Sequence, residues 1–151
     1  MVESEKNKTL TIGITVASII LVISAVGIAY YLAERDPVVN VFDDSFQVTG
    51  MFGATVYFED VVSISLLEDN INSIGVGNRV NGYAGFGDTL RGEFVSRSHG
   101  RVLLFVRSGV SPVIHVERDV GNDVFINFRE REMTEALFQE LVDAFRLFQI
   151  D

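Results

Sequence analysis

The feature that most constrains this chain is a run of 23 residues without a charge, Leu10 to Leu32 (LTIGITVASIILVISAVGIAYYL). A helix needs about 20 such residues to cross roughly 30 Å of hydrocarbon. A signal peptide has a similar basic start, but its apolar core is only about 7 to 15 residues long. A helix buried in a soluble core would need apolar partners on every side, more than the remaining chain supplies. We therefore predict a tail over 1–9, an uncleaved transmembrane helix over 10–32 and a linker over 33–37.

The basic residues that flank this run indicate its orientation. Lys6 and Lys8 precede it, whereas Arg35 is the only basic residue close behind it. Because cytoplasmic flanks carry the excess of lysine and arginine, the N-terminus is expected in the cytoplasm. The sequence thus predicts a single-pass membrane protein whose C-terminal domain, residues 38–149, is extracytoplasmic.

The charge of that domain excludes one class of partner. From Pro37 onward there are 9 arginines, no lysine and 17 acidic residues, a net charge of −8. Such a domain repels phosphate backbones, so nucleic acid is not expected as a partner. The chain has no cysteine, which rules out disulfides and thiolate metal sites.

The hydrophobic period changes to about two after Pro37, which is typical of short β-strands. In 61–67, for example, Val62, Ile64 and Leu66 are expected on one face, with serines on the other. We predict about seven antiparallel strands, with one more at 89–95, and interpret 68–78 as a loop. The strands are expected at 38–42, 46–50, 54–58, 61–67, 89–95, 101–106, 112–117 and 124–128. The pattern favours an antiparallel sandwich or barrel.

A second change of period predicts a C-terminal helix over about 130–148. Met133, Leu137, Leu141, Phe145 and Phe148 recur at spacings of three and four, with charged residues mainly elsewhere. This stripe is expected to close the core of the β domain.

The order of these elements resembles bacterial pleckstrin-homology-like domains of the type that follows a transmembrane segment. The matching stretches are VFDDSFQVTGMFG (41–53), FEDVVSISLLED (58–69), NRVNGYAGFGDTLRGEF (78–94), RVLLFV (101–106), PVIHV (112–116) and VFINFREREMTEALFQELVDAF (124–145). The resemblance implies a fold of two orthogonal antiparallel sheets with a C-terminal capping helix. It implies no activity, because such bacterial domains mostly have no assigned chemistry.

The glycines and arginines of 79–94 are the candidate binding residues, namely Arg79, Asn81, Gly82 and Arg91. They do not form a phosphate loop, which needs a lysine, nor the G-x-G-x-x-G dinucleotide fingerprint between a strand and a helix. Turns and close backbone contacts are the favoured reading of the glycines, and pairing with local acids that of the arginines. In eukaryotic pleckstrin-homology domains the first hairpin loop supplies basic residues to phosphoinositides. Here that loop is Asp43-Asp44-Ser45, so phosphoinositide binding is not expected.

Other chemistries lack a recognisable pattern in the sequence. His99 and His115 are not at helical ligand spacing, so no metal site is predicted. No nucleophile elbow or zinc-protease helix is present, and no cofactor motif is found. We therefore expect a non-enzymatic interaction module at the membrane, acting on a protein partner or by self-assembly. The alternatives are a domain that binds a small or envelope-derived ligand through Arg79, Arg91 and the glycine loop, and an unrecognised enzyme.

Overall fold

The computed structural model describes residues 2–85 and 87–150, with side chains from Asn7 onward. The side chain of Lys6, on which the predicted orientation partly rests, lies outside this range. The chain divides into two compact units, residues 1–35 and 36–151. The first unit is one helix, α1 (Val2–Ala33). Its segment Asn7–Ala33 is long and apolar enough to cross a membrane. The helix predicted over 10–32 is thus confirmed, and it extends back through most of the segment expected to be a separate tail.

The second unit is mainly β, with two sheets and a C-terminal helix. The first sheet is an antiparallel meander of three strands, and the second has six strands in the order β4-β8-β9-β7-β6-β5. The strands are β1 (Val38–Val41), β2 (Ser45–Thr49), β3 (Ala54–Tyr57), β4 (Val61–Leu67), β5 (Val76–Ala84), β6 (Thr89–Ser96), β7 (Gly100–Arg107), β8 (Val113–Arg118) and β9 (Asp123–Ile126). The helix α2 spans Arg131–Ile150, and two short 3-10 turns cover Phe58–Asp60 and Ile71–Ile74.

The central strands of the six-stranded sheet contribute buried residues to both of its faces, since successive side chains along a strand point to opposite sides. On one face, residues such as Phe105 and Ile126 pack with the first sheet and α2. On the other, Phe94, Leu104 and Phe125 pack under the turn Ile71–Ile74. The domain therefore has two core layers with this sheet between them.

The stripe of α2 is confirmed except at its first residue. Leu137 and Leu141 are buried, and Phe145 and Phe148 pack against the same core. Met133 is 51 % exposed, and Thr134 takes the buried position beside it. The Thr134 hydroxyl accepts a hydrogen bond from the Phe128 amide at 3.0 Å, so a polar contact replaces the expected apolar one.

Three further expectations differ from the structure. The predicted loop 68–78 contains the start of a ninth strand, β5, whose residues are mostly exposed and so show no alternation. In β4, a register shift between Val61 and Ser63 buries Val61 and leaves Val62 53 % exposed, so the predicted face of Val62 is wrong. The sheets are not wholly antiparallel, because β9 pairs in parallel with β7. The five-residue connection 108–112 leaves room for β9 between β7 and β8.

Candidate functional site

Strand β5 carries three of the four predicted binding residues and forms one edge of the six-stranded sheet. Arg79, Asn81 and Gly82 all lie on it, and residues 77–81 are exposed without interruption. In the part of the chain that the structure describes, β6 is the only strand that pairs with β5. Its other side is therefore open for hydrogen bonding along nine residues.

The hairpin between β5 and β6 determines which amides point to the open side. The Gly85 amide donates to the Thr89 carbonyl at 3.1 Å, which makes this a hydrogen-bonded pair. Because such pairs alternate in an antiparallel ladder, Tyr83 and Asn81 direct their amides toward β6. By the same alternation, Gly82 and Ala84 are expected to direct their amides to the open edge.

Gly82 and its partner on β6, Gly92, permit an unusually close approach of the two strands. A Cβ atom on Gly82 would collide with the carbonyl oxygen of Arg91. Gly92 has a φ of 102°, and a Cβ there would lie 3.2 Å from the Phe52 ring. The expectation of close backbone contacts at Gly82 is confirmed, and these two glycines lie within strands.

The two candidate arginines do not converge. Arg79 is exposed and pairs with Phe94, whereas Arg91 is only 5 % exposed. Since Phe94 and Arg91 are three residues apart on β6, they occupy opposite faces of the sheet. The Arg91 guanidinium donates to the carbonyls of Leu90 at 3.1 Å and Val106 at 3.2 Å. These contacts tie Arg91 to the backbone of its own domain.

A buried polar network that the sequence did not reveal holds the end of β7. The Arg107 guanidinium donates to Asp36 and to Asp88, each at 3.0 Å, with its side chain 6 % exposed. Burial alone would lower the pKa of Arg107, but the hydrogen bonds to Asp36 and Asp88 outweigh it and raise that pKa. Asn127 bonds both backbone groups of Arg107, accepting at 2.7 Å and donating at 3.2 Å. Asp88, Asn127 and Asp36 lie 19, 20 and 71 positions from Arg107 in the sequence, so no local spacing indicates the network.

A second cluster, which we call the histidine cluster, comprises His99, His115 and Asp123. One ring nitrogen of each histidine and a carboxylate oxygen of Asp123 all lie within 4.8 Å of one another. The Nε2 atom of His115 is 2.9 Å from Asp123 Oδ2. The spacing of the two histidines in the sequence predicts no metal site, whereas the fold brings them together. The missing information is the strand order, which places β8 beside β9 and the β6–β7 turn near both.

The histidine cluster is oriented by its neighbours. The His115 ring stacks on Phe125 with centroids 4.5 Å apart and planes 4° from parallel. The His99 ring meets His115 edge-on, with centroids 5.0 Å apart. Asp123 Oδ1 accepts from the Arg118 amide at 3.2 Å. His115 and Asp123 are partly buried, whereas His99 is exposed on the turn between β6 and β7.

Two surface hollows lie apart from the Arg107 network and the histidine cluster. One of about 350 Å³ is lined by residues 72–75 with Arg97 and Ser98, and one of about 310 Å³ by residues of the β2–β3 hairpin. Neither is lined by Arg79 or Arg91.

Comparison of the chain with protein-family models, curated proteins and solved structures returns no match.

Proposed function

We propose that this chain is a single-span membrane protein whose β domain is a non-enzymatic protein-interaction module. The observation that carries the proposal is the open edge of β5, with five consecutive exposed residues. An extended peptide can add a strand to such an edge, gaining affinity from main-chain hydrogen bonds. Natural proteins protect long edges with proline, lysine, an inward charge or β-bulges; β5 has no proline and no lysine, but its pairing with β6 has register shifts between Val76 and Asn81.

Charge favours a partner protein over a second copy of this chain. Arg79 is the one charged residue of β5, and it is exposed. A second copy would bring another domain with a net charge of −8, which opposes close approach. An extended segment of another protein without a large negative charge avoids this repulsion and can still form the backbone ladder with β5. We therefore propose an extended segment of another protein as the occupant.

We further propose that the domain has a pleckstrin-homology-like fold and that it is extracytoplasmic. Two sheets followed by a helix that packs on the core support a pleckstrin-homology-like domain. The parallel pairing of β7 and β9 differs from the wholly antiparallel sheets of the resemblance. Lys6 and Lys8, which precede the uncharged run Leu10 to Leu32, support a cytoplasmic N-terminus and an extracytoplasmic domain. The apolar helix α1 supports membrane anchoring.

Site-specific crosslinking in the native membrane tests the interaction. A photoreactive amino acid is placed at Val80 on β5, and in a control at Val62 on β4, the opposite edge of the same sheet. Both valines are about equally exposed, 44 % and 53 %. We expect a defined crosslinked partner from Val80, mapped by mass spectrometry to an extended segment, and none from Val62.

A backbone variant separates strand addition from simple proximity. Ala84→Pro removes an amide that faces the open edge, whereas the control Ala84→Ser keeps it. We expect the crosslink from Val80 to be lost in the proline variant and kept in the serine variant. Equal crosslinking from Val80 and Val62, or a Val80 product unaffected by Ala84→Pro, would contradict the proposal. A product containing only this chain would show self-assembly instead.

A further inference from the structure

We propose that the histidine cluster, His99, His115 and Asp123, binds one divalent transition-metal ion, with Zn²⁺ as the representative cation. Two imidazoles and one carboxylate form a ligand set that suits zinc and its neighbours. Calcium and magnesium prefer sites made wholly of oxygen ligands, so they are poor candidates here. This inference does not depend on the β5 edge, because its three residues lie on β8, β9 and the turn between β6 and β7.

The distances between the ligand atoms require only small adjustments. Zinc binds nitrogen and oxygen at about 2.0 to 2.2 Å, which puts tetrahedral ligand atoms about 3.3 Å apart. His115 Nε2 and Asp123 Oδ2, now 2.9 Å apart in a hydrogen bond, must separate by a few tenths of an ångström. The three ligand atoms already lie within 4.8 Å of one another. Since His99 is exposed on a turn, rotation of its side chain can close the remaining gap.

The hydrogen bonds around His99 leave one ring nitrogen free to act as a ligand. The Ser98 hydroxyl oxygen lies 3.0 Å from the Ile74 carbonyl oxygen and 2.8 Å from His99 Nδ1. When this hydroxyl donates to the carbonyl, it accepts from Nδ1, and a neutral His99 then carries its lone pair on Nε2. Orientation of a ligand histidine through its other nitrogen is a recurrent feature of metal sites.

The other two ligands are held by contacts that would remain after metal binding. Phe125 stacks on the His115 ring, and the Arg118 amide binds the Asp123 oxygen that does not face His115. On metal binding, a neutral His115 would move its single ring proton from Nε2 to Nδ1, which leaves the Nε2 lone pair for the metal. With three protein ligands, a tetrahedral ion keeps a fourth position for water, on the side where His99 is exposed.

Zinc titration of the full chain tests the site directly. The chain contains only two histidines, so a preparation with a histidine-free affinity tag has no other imidazole. The protein, in detergent micelles and freed of metal, is titrated with Zn²⁺ by calorimetry and by NMR of the imidazole nitrogens. We expect one Zn²⁺ per chain, a simultaneous shift of both histidines, and reversal by a chelator.

Variants distinguish the cluster from general binding by acidic side chains. His99→Gln and Asp123→Asn should each weaken Zn²⁺ binding by at least about tenfold. Asp119→Asn, a matched change at an exposed acid four residues from Asp123, should leave it unchanged. His99 is exposed, so its replacement does not threaten folding, which thermal unfolding of each variant checks. Zinc that shifts one histidine or neither, or that binds His99→Gln as tightly as the wild type, would overturn the proposal.

Discussion

The side chain of Asn127 is expected to stabilise the domain through three hydrogen bonds to backbone atoms. Its side chain is fully buried and accepts from the Arg107 amide at 2.7 Å. Its amide group donates to the carbonyls of Arg107 at 3.2 Å and Val110 at 3.0 Å. Asn127→Ala removes all three bonds and leaves polar backbone atoms without these partners. A buried group left unsatisfied costs about 1 to 3 kcal/mol. Because the carbonyls have second lone pairs, we expect a total loss of about 3 kcal/mol.

Urea unfolding of the full chain in micelles measures this loss. Hydrogen exchange of peptides from β7 reports on the β domain alone, without a contribution from α1. At a slope of about 2 kcal/mol per molar urea, the midpoint should fall by about 1.5 M. The control is Asn122→Ala, whose side chain makes one bond, to Glu93 at 3.2 Å, and should cost less than about 1 kcal/mol. Equal midpoints for the two variants would refute the assignment of Asn127 as a buried bridge.

Four further outcomes are expected. Leu141→Ala should destabilise the domain by about 2 to 5 kcal/mol in the same assay, because this side chain is fully buried, while Met133→Ala should be nearly neutral. Gly82→Ala should cost about 1 to 3 kcal/mol through its collision with Arg91, whereas Gly109→Ala, with open space around its Cβ position, should not. Arg107→Met should cost about 2 kcal/mol through the lost bonds to Asp36 and Asp88. A raised pKa gives stability that is lost only as pH rises through the folded-state value, so the Arg107 contribution should persist from neutral pH to about pH 10. Protease added to sealed cells should digest the β domain if it is extracytoplasmic; protection would reverse the proposed orientation.

The elements with a strong hydrophobic period could be predicted from the sequence. The apolar run lies in α1, as predicted, and the predicted stripe residues Leu137 and Leu141 lie on the buried face of α2. Eight strands were located to within two residues at nearly every end. Strand β5 was partly missed because an edge strand with little burial needs no alternating pattern, and its Gly and Asn content is typical of loops. The position of Val62 was missed because a strand irregularity reverses the alternation.

The candidate sites depend on contacts between distant parts of the chain, so they were harder to predict. Arg91 was correctly placed on a strand, but whether it shares a face with Arg79 depends on the register of β5 against β6. The histidine cluster depends on β9 lying between β7 and β8. The local hydrophobic period predicts neither the position of β9 in the sheet nor its parallel pairing with β7. His99 and Asp123 are 24 positions apart, and they meet only in the folded sheet.

The central place of β9 has a consequence for how the domain is made. Strands β4 and β8 connect to the rest of their sheet only through β9, which is the last strand in the described chain. During synthesis, the meander β5-β6-β7 and the pair β4-β8 emerge first, and neither can join the other until residues 123–126 follow. Closing long-range pairings of this kind is slow compared with local hairpins. The complete sheet therefore forms only after residues 123–126 have left the ribosome.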